Sequence, residues 1–256
     1  MRFQDRVVLV TGGSQGIGEA VCRRFAGEGA IAAVVASGDR AKAQGVADSI
    51  VAAGGRASAH VCDVTDVAAI DALVAEVVDR HGRIDVGVSA AGVFYPTRIG
   101  ETDEAMFDRM CDINLKGTFF FCNAVAQHMM ARGGGGRLIN FGSAAGVAGR
   151  SNYIVYSATK AGVIHMTRSL GVALAPHGIN VNAIAPGNTA TPMNENVRTE
   201  PAYEEIRQMI ARATPSKRLF ADAQEIAGAA LFLASDDANA MYGATILMDE
   251  GGTAGY

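Results

Sequence analysis

The chain has 256 residues, 49% of them hydrophobic and 19% charged, with 31 glycines and a formal charge of -4. That length buries one large core, and the composition excludes disorder. With no run of Lys and Arg there is no electrostatic footprint for nucleic acid, and with no apolar run of transmembrane length and no signal-peptide pattern in MRFQDRVVLVTGG the expected place is the cytoplasm, away from membranes.

Strand-like apolar runs alternate with longer stretches of helical period. VVLV (7–10) precedes a helix over 16–28, IAAVV (31–35) one over 40–53, and ASAHV (57–61) one over 67–80. IDVGVS (84–89) leads into a long helical region, 103–131, broken in two near Cys111. RLINFG (137–142) precedes a helix over 153–175, and INVNAI (179–184) a variable stretch whose least regular part, 188–218, is expected to form a mobile lid that recognises the substrate. This rhythm predicts βαβ units with right-handed crossovers. The expected fold is α/β, a doubly wound parallel sheet with helices on both faces, in a single domain over 1–256. The GGGG run at 133–136 ends a helix and precedes a strand, the reverse of a phosphate cradle, and reads as a flexible connection.

TGGSQGIG (11–18) has the opposite context, following the first strand and opening the first helix. Gly12 suits the sharp turn, Gly16 lets the main chain approach a pyrophosphate, and Gly18 permits close packing of helix on strand, with first-turn amides facing the anion. The spacing is GxxxGxG rather than GxGxxG, so the position in the first βα unit carries the assignment. Further on, NYIVYSATKAG (152–162) places Tyr156 one helical turn before Lys160 and Tyr153 one turn earlier. Taken alone, such a pair is a tyrosine on a buried edge and a lysine that snorkels outward. Cys22, Cys62, Cys111 and Cys122 are widely spaced, as reduced cysteines are, and the five histidines have no ligand spacing, so no metal is expected.

Together, TGGSQGIG, Asp63 after the third strand, Asn114 in INLKG, Ser143 in INFGS, Tyr156 and Lys160 in YSATK and PGNTAT from 186 resemble the short-chain dehydrogenase/reductase family in order and spacing. The resemblance covers nearly the whole chain, to DEGG at 249. It implies a Rossmann-type fold and an NAD(P)-dependent enzyme that interconverts a small-molecule secondary alcohol and a ketone. It also implies a homotetramer, pairing the helices near 112–131 and 153–175 and using the C-terminal TILMDEGGTAGY in a second interface.

The catalytic set carried over is Asn114, Ser143, Tyr156 and Lys160. Tyr156 gives or takes the proton, and a lysine ammonium on the same helix face lowers its phenol pKa. Ser143, at the carboxyl end of a strand, can bond the substrate oxygen while charge develops there. Asn114 is implied to distort its helix and to reach Lys160 through a water. The cofactor set is Gly12, Ser14, Gln15, Gly16, Ile17 and Gly18 in the loop, and Asp63 and Val64 at the adenine end. It continues with Ser89, Ala91 and Gly92 after the fourth strand, Tyr156 and Lys160, and Pro186, Gly187, Thr189 and Thr191 around the nicotinamide carboxamide. Blander roles stay open, with Ser143 capping a turn and Asp63 capping the helix from Val67. The Tyr-x-x-x-Lys spacing selects Tyr156, leaving Tyr153, Phe94 and Tyr95 as pocket wall.

Two positions depart from the family. Ser89, Ala90, Ala91 and Gly92 stand where Asn-Asn-Ala-Gly is usual, removing the asparagine bond at the sheet centre, and DEGG stands for Asp-Gly-Gly. In VVASGDRAK (34–42) an NAD enzyme would end the second strand on an acid, whereas register gives Ala36. Ser37 and Arg40 suit a 2'-phosphate, while Asp39 either caps the helix from Arg40 or swings in to repel it. Gln15 stands where NADP-preferring relatives often carry a base, and the charge balance tips to NADP. The alternative is a 3-oxoacyl-[acyl-carrier-protein] reductase, against which Val172 in SLGVALA occupies a place where such enzymes carry arginine. A non-catalytic nucleotide-binding regulator would not need the intact catalytic set.

Overall fold

The computed structural model describes residues 1–254, so the end of TILMDEGGTAGY, 255 and 256, lies outside the described residues. The chain begins with β1 (Val7–Thr11), β2 (Ile31–Ala36), β3 (Arg56–Val61), β4 (Val86–Ser89), β5 (Gly136–Phe141) and β6 (Ile179–Pro186). Two short strands, β7 (Thr189–Ala190) and β8 (Ala221–Asp222), pair with each other, and β9 (Thr245–Met248) closes the main sheet. That sheet has seven parallel strands in the order β3-β2-β1-β4-β5-β6-β9. The order reverses between β1 and β4, and their carboxyl ends form the topological switch point where such sheets bind ligands.

Every residue of β1 is buried, because each face of the sheet is covered. Val8 and Val10 pack into one core with Phe25, Ile50 and Leu231, from α1 (Gly16–Gly27), α2 (Arg40–Ala52) and α9 (Ala223–Ala234). Val7 and Leu9 point the other way, to Leu73, Phe121 and Leu174 of α3 (Val67–His81), α5 (Gly117–Arg132) and α6 (Ile154–Leu174). The predicted break near Cys111 is a π-helical turn, Asp112–Lys116, between α4 (Glu104–Cys111) and α5.

The GGGG connection differs from its expectation as a flexible link. Gly133, Gly134 and Gly135 take φ of 73°, 79° and 72°, and a Cβ on Gly135 would lie 2.4 Å from the Gly178 carbonyl oxygen. The run is a specified left-handed turn pressed against the chain that enters β6. The segment expected to be least regular folds into α7 (Glu195–Thr199) and α8 (Glu204–Ala213). Arg207 ties the two by donating to the carbonyls of Val197 at 2.8 Å and Glu200 at 2.9 Å, and no residue of α8 is buried. In DEGG, Glu250 adopts the left-handed φ of 59° that glycine enters more freely, and its carboxylate pairs with Arg218.

Two glycines of α1 give opposite expectations. A Cβ on Gly18 would lie 2.2 Å from the Gly12 carbonyl oxygen, whereas one on Gly27 meets nothing within 4 Å. Gly18→Ala is expected to lower stability by about 1–3 kcal/mol through overpacking. Gly27→Ala should raise it by about 0.5 kcal/mol by restricting the unfolded chain. Urea melts of both variants check the pair, and destabilisation of equal size would refute it.

Candidate active site

A cleft of about 580 Å³ opens at the switch point, lined by the loop after β1, the segment after β3 and the segment after β4. Ser14, Gln15, Gly16, Ile17 and Gly18 all face it. Gly12 holds φ 66°, and a Cβ there would lie 2.8 Å from the Ala90 carbonyl oxygen, so the loop presses on the end of β4. Gln15 caps α1 in extended conformation with no side-chain cap bond, which leaves the first-turn amides facing the cleft. Gly16, at φ 57°, has Thr191 across from it, with a virtual Cβ 3.3 Å from the threonine. Uncapped amides beside a loop that tolerates no added side chain fit a pyrophosphate.

Asp63 and Val64 line the far end of the cleft. The helix-cap alternative for Asp63 is overturned: Asp66 caps α3, accepting from the amides of Ala68 at 2.9 Å and Ala69 at 3.2 Å. Asp63 instead accepts from the Thr65 amide and hydroxyl, both at 2.9 Å, in a side-chain turn at the cleft wall. Ala91 and Gly92 line the cleft, but Ser89 stands back from it. Its hydroxyl donates to Thr118 at 3.1 Å, and Thr118 donates to the Asn114 carbonyl at 2.9 Å. A serine thus supplies the side-chain bond at the sheet centre that the missing asparagine had put in question.

Ser37 lines the cleft, just past Ala36 at the end of β2. Asp39 caps α2 by accepting from the Ala41 amide at 2.9 Å. Arg40 turns to the Ala59 carbonyl at 3.4 Å and is not among the lining residues. Pro186 ends β6, and the Gly187 amide donates to the Met248 carbonyl at 2.8 Å. Thr189 is buried and donates to the Gly187 carbonyl at 3.3 Å, so of this group Thr191 alone reaches the cleft. Arg109, Asp112 and Ile113 also line it, and sequence reasoning missed them. The signal was the helix break, since the residues flanking Asn114 sit where that break meets the cleft.

The four catalytic candidates meet beyond the ends of β4 and β5. Asn114, fully buried in the π turn, holds the Val93 main chain at both its groups, accepting from the amide at 2.8 Å and donating to the carbonyl at 2.9 Å. Ser143 accepts from the Ala145 amide at 3.1 Å and caps the 3-10 turn Ala144–Gly146, the turn-capping role that the sequence leaves open. Burial pushes the Tyr156 phenol up, and the nearby Ser143 hydroxyl opposes that by favouring the phenolate. Lys160 is buried and donates to the Phe141 carbonyl at 2.9 Å. Its ammonium lies 5.8 Å from the Tyr156 ring centroid, and burial pulls its pKa down to about 8. The shift of the phenol comes from burial, which raises it, and from Ser143, which lowers it, rather than from the lysine as the sequence suggests.

Tyr153 stacks on Phe94 at 4.5 Å between ring centroids, as wall beside the site. Tyr95 departs from that role: its hydroxyl donates to the Met106 carbonyl at 2.7 Å and anchors its loop to α4. Among the described residues, no group of His, Cys, Asp or Glu could hold a metal ion, and no helix is long and apolar enough to cross a membrane.

Comparison with known proteins identifies the family. Residues 12–253 match a family model described as enoyl-(acyl carrier protein) reductase. The chain is 40% identical to galactitol 2-dehydrogenase of Agrobacterium fabrum and 39% identical to sorbitol dehydrogenase of Cereibacter sphaeroides, each over 98% of both chains. The crystal structure of a short-chain type dehydrogenase/reductase from Mycobacterium marinum superposes with a TM-score of 0.92 at 31% identity, covering 98% of this chain and 96% of that one. The chain belongs to the short-chain dehydrogenase/reductase family. It is an NAD(P)-dependent oxidoreductase that acts on CH-OH groups, interconverting a secondary alcohol and a ketone.

The buried lysine gives a prediction with a definite sign. Its folded pKa, about 8, lies below its ordinary value of 10.5, so the folded state binds that proton less tightly than the unfolded chain. The resulting destabilisation is fully present below pH 8 and is relieved as pH rises toward 10.5. Lys160→Met is therefore expected to be the more stable protein at neutral pH, by up to about 3 kcal/mol. Denaturant melts of the cofactor-free proteins should show that advantage shrinking between pH 8 and pH 10.5; an advantage that grows with pH would refute it.

Proposed function

We propose that Tyr156 delivers the proton to the ketone oxygen, or takes it from the alcohol, while Ser143 holds that oxygen. The observation that carries this is the placement of the buried Tyr156 phenol near Ser143, whose hydroxyl favours the phenolate, with a buried ammonium 5.8 Å from the phenol ring centroid. The serine hydroxyl stabilises the phenolate form, and a positive charge in a site of low polarity acts in the same direction. Asn114 and Lys160 fix the frame, each by bonds to main-chain groups. Bound in the cleft, the nicotinamide supplies or accepts the hydride. The chain's residues that would hold the cofactor are the Gly12 to Gly18 loop at the pyrophosphate, Asp63 and Val64 at the adenine and Lys160 at the nicotinamide ribose.

NADP is the preferred form in this proposal. Ala36 offers no carboxylate to a ribose 2'-hydroxyl, Asp39 is engaged at the α2 cap, and the Ser37 side chain faces the cleft. Arg40 adds no support, being turned to Ala59. An acyl carrier protein is not the preferred partner, since Val172, 79% exposed on α6, offers an acidic surface no charge. A cytoplasmic homotetramer is supported by free, largely buried cysteines and by exposed apolar side chains that include Phe107 and Phe119 near the long-helix face and Phe232 and Leu247 near the C-terminus.

Tyr156→Phe is expected to cut kcat by about 10²–10⁴-fold with cofactor affinity intact, since it deletes the proton and little else. Tyr153→Phe should be mild, and equal losses would show that the acid is misassigned. For the cofactor, kcat/KM is expected to be higher with NADP(H). A tenfold preference for NAD, about 1.4 kcal/mol, would mean that Asp39 leaves its cap to read the ribose, in which case Asp39→Ala must narrow the gap.

A further inference from the structure

The loop after β4 is held at more points than a ligand-binding loop needs for its own stability. Val93 is clamped at both main-chain groups by the buried Asn114 carboxamide. Tyr95 is anchored through its hydroxyl to α4. Thr97 forms a bridge to the start of α6, its amide donating to the Asn152 carbonyl at 2.8 Å and its hydroxyl accepting from the Val155 amide at 3.0 Å. Between these hydrogen-bonded points stands Phe94, a residue 37% exposed. That ring stacks on Tyr153 at 4.5 Å with an interplanar angle of 22°, and meets Tyr156 edge-on at 4.8 Å.

We infer that Phe94 determines specificity, forming with Tyr153 a rigid aromatic plate beside the reacting hydroxyl that selects substrates carrying a flat hydrocarbon ring next to the carbonyl. The inference rests on Tyr156 being the proton donor. Its physical basis is twofold. A ring laid on a plate already fixed at Val93, Tyr95 and Thr97 gains contact without ordering the loop, so the entropic cost of binding is small. Phe94 has no hydrogen-bonding group, so a chain of hydroxyls laid against it would lose water and gain no partner. An acyclic polyol, the class for which the galactitol and sorbitol relatives are named, is therefore disfavoured at this wall.

The test compares 1-phenyl-1,2-propanedione with 2,3-butanedione, which share the reacting diketone and differ in a phenyl for a methyl group. The wild-type enzyme is expected to favour the phenyl compound, and Phe94→Ala to reduce the ratio of their kcat/KM values by about tenfold or more, chiefly through KM. Phe94→Tyr should keep the ratio. Cofactor affinity of Phe94→Ala measured by fluorescence should not change, which a general collapse of the site would not allow. Equal losses on both diketones, no turnover of either, or a wild-type preference for galactitol over both would overturn the inference. Full activity in Tyr156→Phe would instead refute the proton donor, and the Phe94 ratio would still report on the plate.

Discussion

The carboxamide of Asn114 is the contact on which the site is built. Buried without access to water, it must satisfy both its oxygen and its nitrogen, and Val93 offers one amide and one carbonyl at the right spacing. The residue can present itself this way because α4 and α5 are joined by a π turn, the form of helix break that often appears at functional positions. The same turn leaves the Asn114 carbonyl to accept from Thr118, which in turn accepts from Ser89 at the end of β4. One residue thus fixes the strand end, the helix break and the loop that carries Gly92 and Phe94. A side chain on Gly92 would come within 3.2 Å of the Asn114 oxygen, so this arrangement leaves little room at that point of the cleft wall.

The repeating elements were legible because burial on both faces of a parallel sheet demands largely apolar strands, and β2 is apolar at every position and β1 at all but Thr11. The nucleotide loop was legible for a different reason: its glycines sit between a strand and a helix, where each has a separate geometric task. The glycines at 133–135 were misread because their composition is the same in a flexible link and in a left-handed turn. What distinguishes the two is the carbonyl of Gly178, distant in sequence. Asp63 was open to two readings, and the cap belongs to Asp66, which sequence reasoning missed; only the direction of each carboxylate tells cap from cleft wall.

The cleft's electrostatics were the least legible part. Its lining carries two carboxylates, Asp63 and Asp112, and one guanidinium, Arg109. Asp63 was placed there by the family resemblance, whereas Arg109 and Asp112 could not be, because they come from the helix break on the opposite wall. The first turn of α1 is an array of amides whose partial positive charge favours an anion without a long, mobile arm. The Gln15 side chain makes no cap bond and leaves those amides uncovered.

Behind the catalytic groups lies a dry polar chain that fixes α5, β5 and α6 in register. The Cys122 thiol, whose pKa burial pushes up to about 12, stays protonated and donates to the Asn140 oxygen at 3.0 Å. Asn140 donates to Thr167 at 3.0 Å, and Thr167 donates to the Val163 carbonyl at 2.8 Å. Beyond Asn140 the chain delivers Ser143, and earlier on the helix of Thr167 stand Tyr156 and Lys160. Close packing repeats the constraint at the turn after Ser143, where a Cβ on Gly146 would lie 2.6 Å from the Lys160 main chain. Close contact at both places holds the elements that carry Tyr156 and Ser143 in fixed register. The segment around α8 is built in the opposite way, with no buried residue and bonds made mostly within itself. Substitutions in α8 can therefore change its surface without disturbing the core, whereas those at Asn140 or Gly146 cannot.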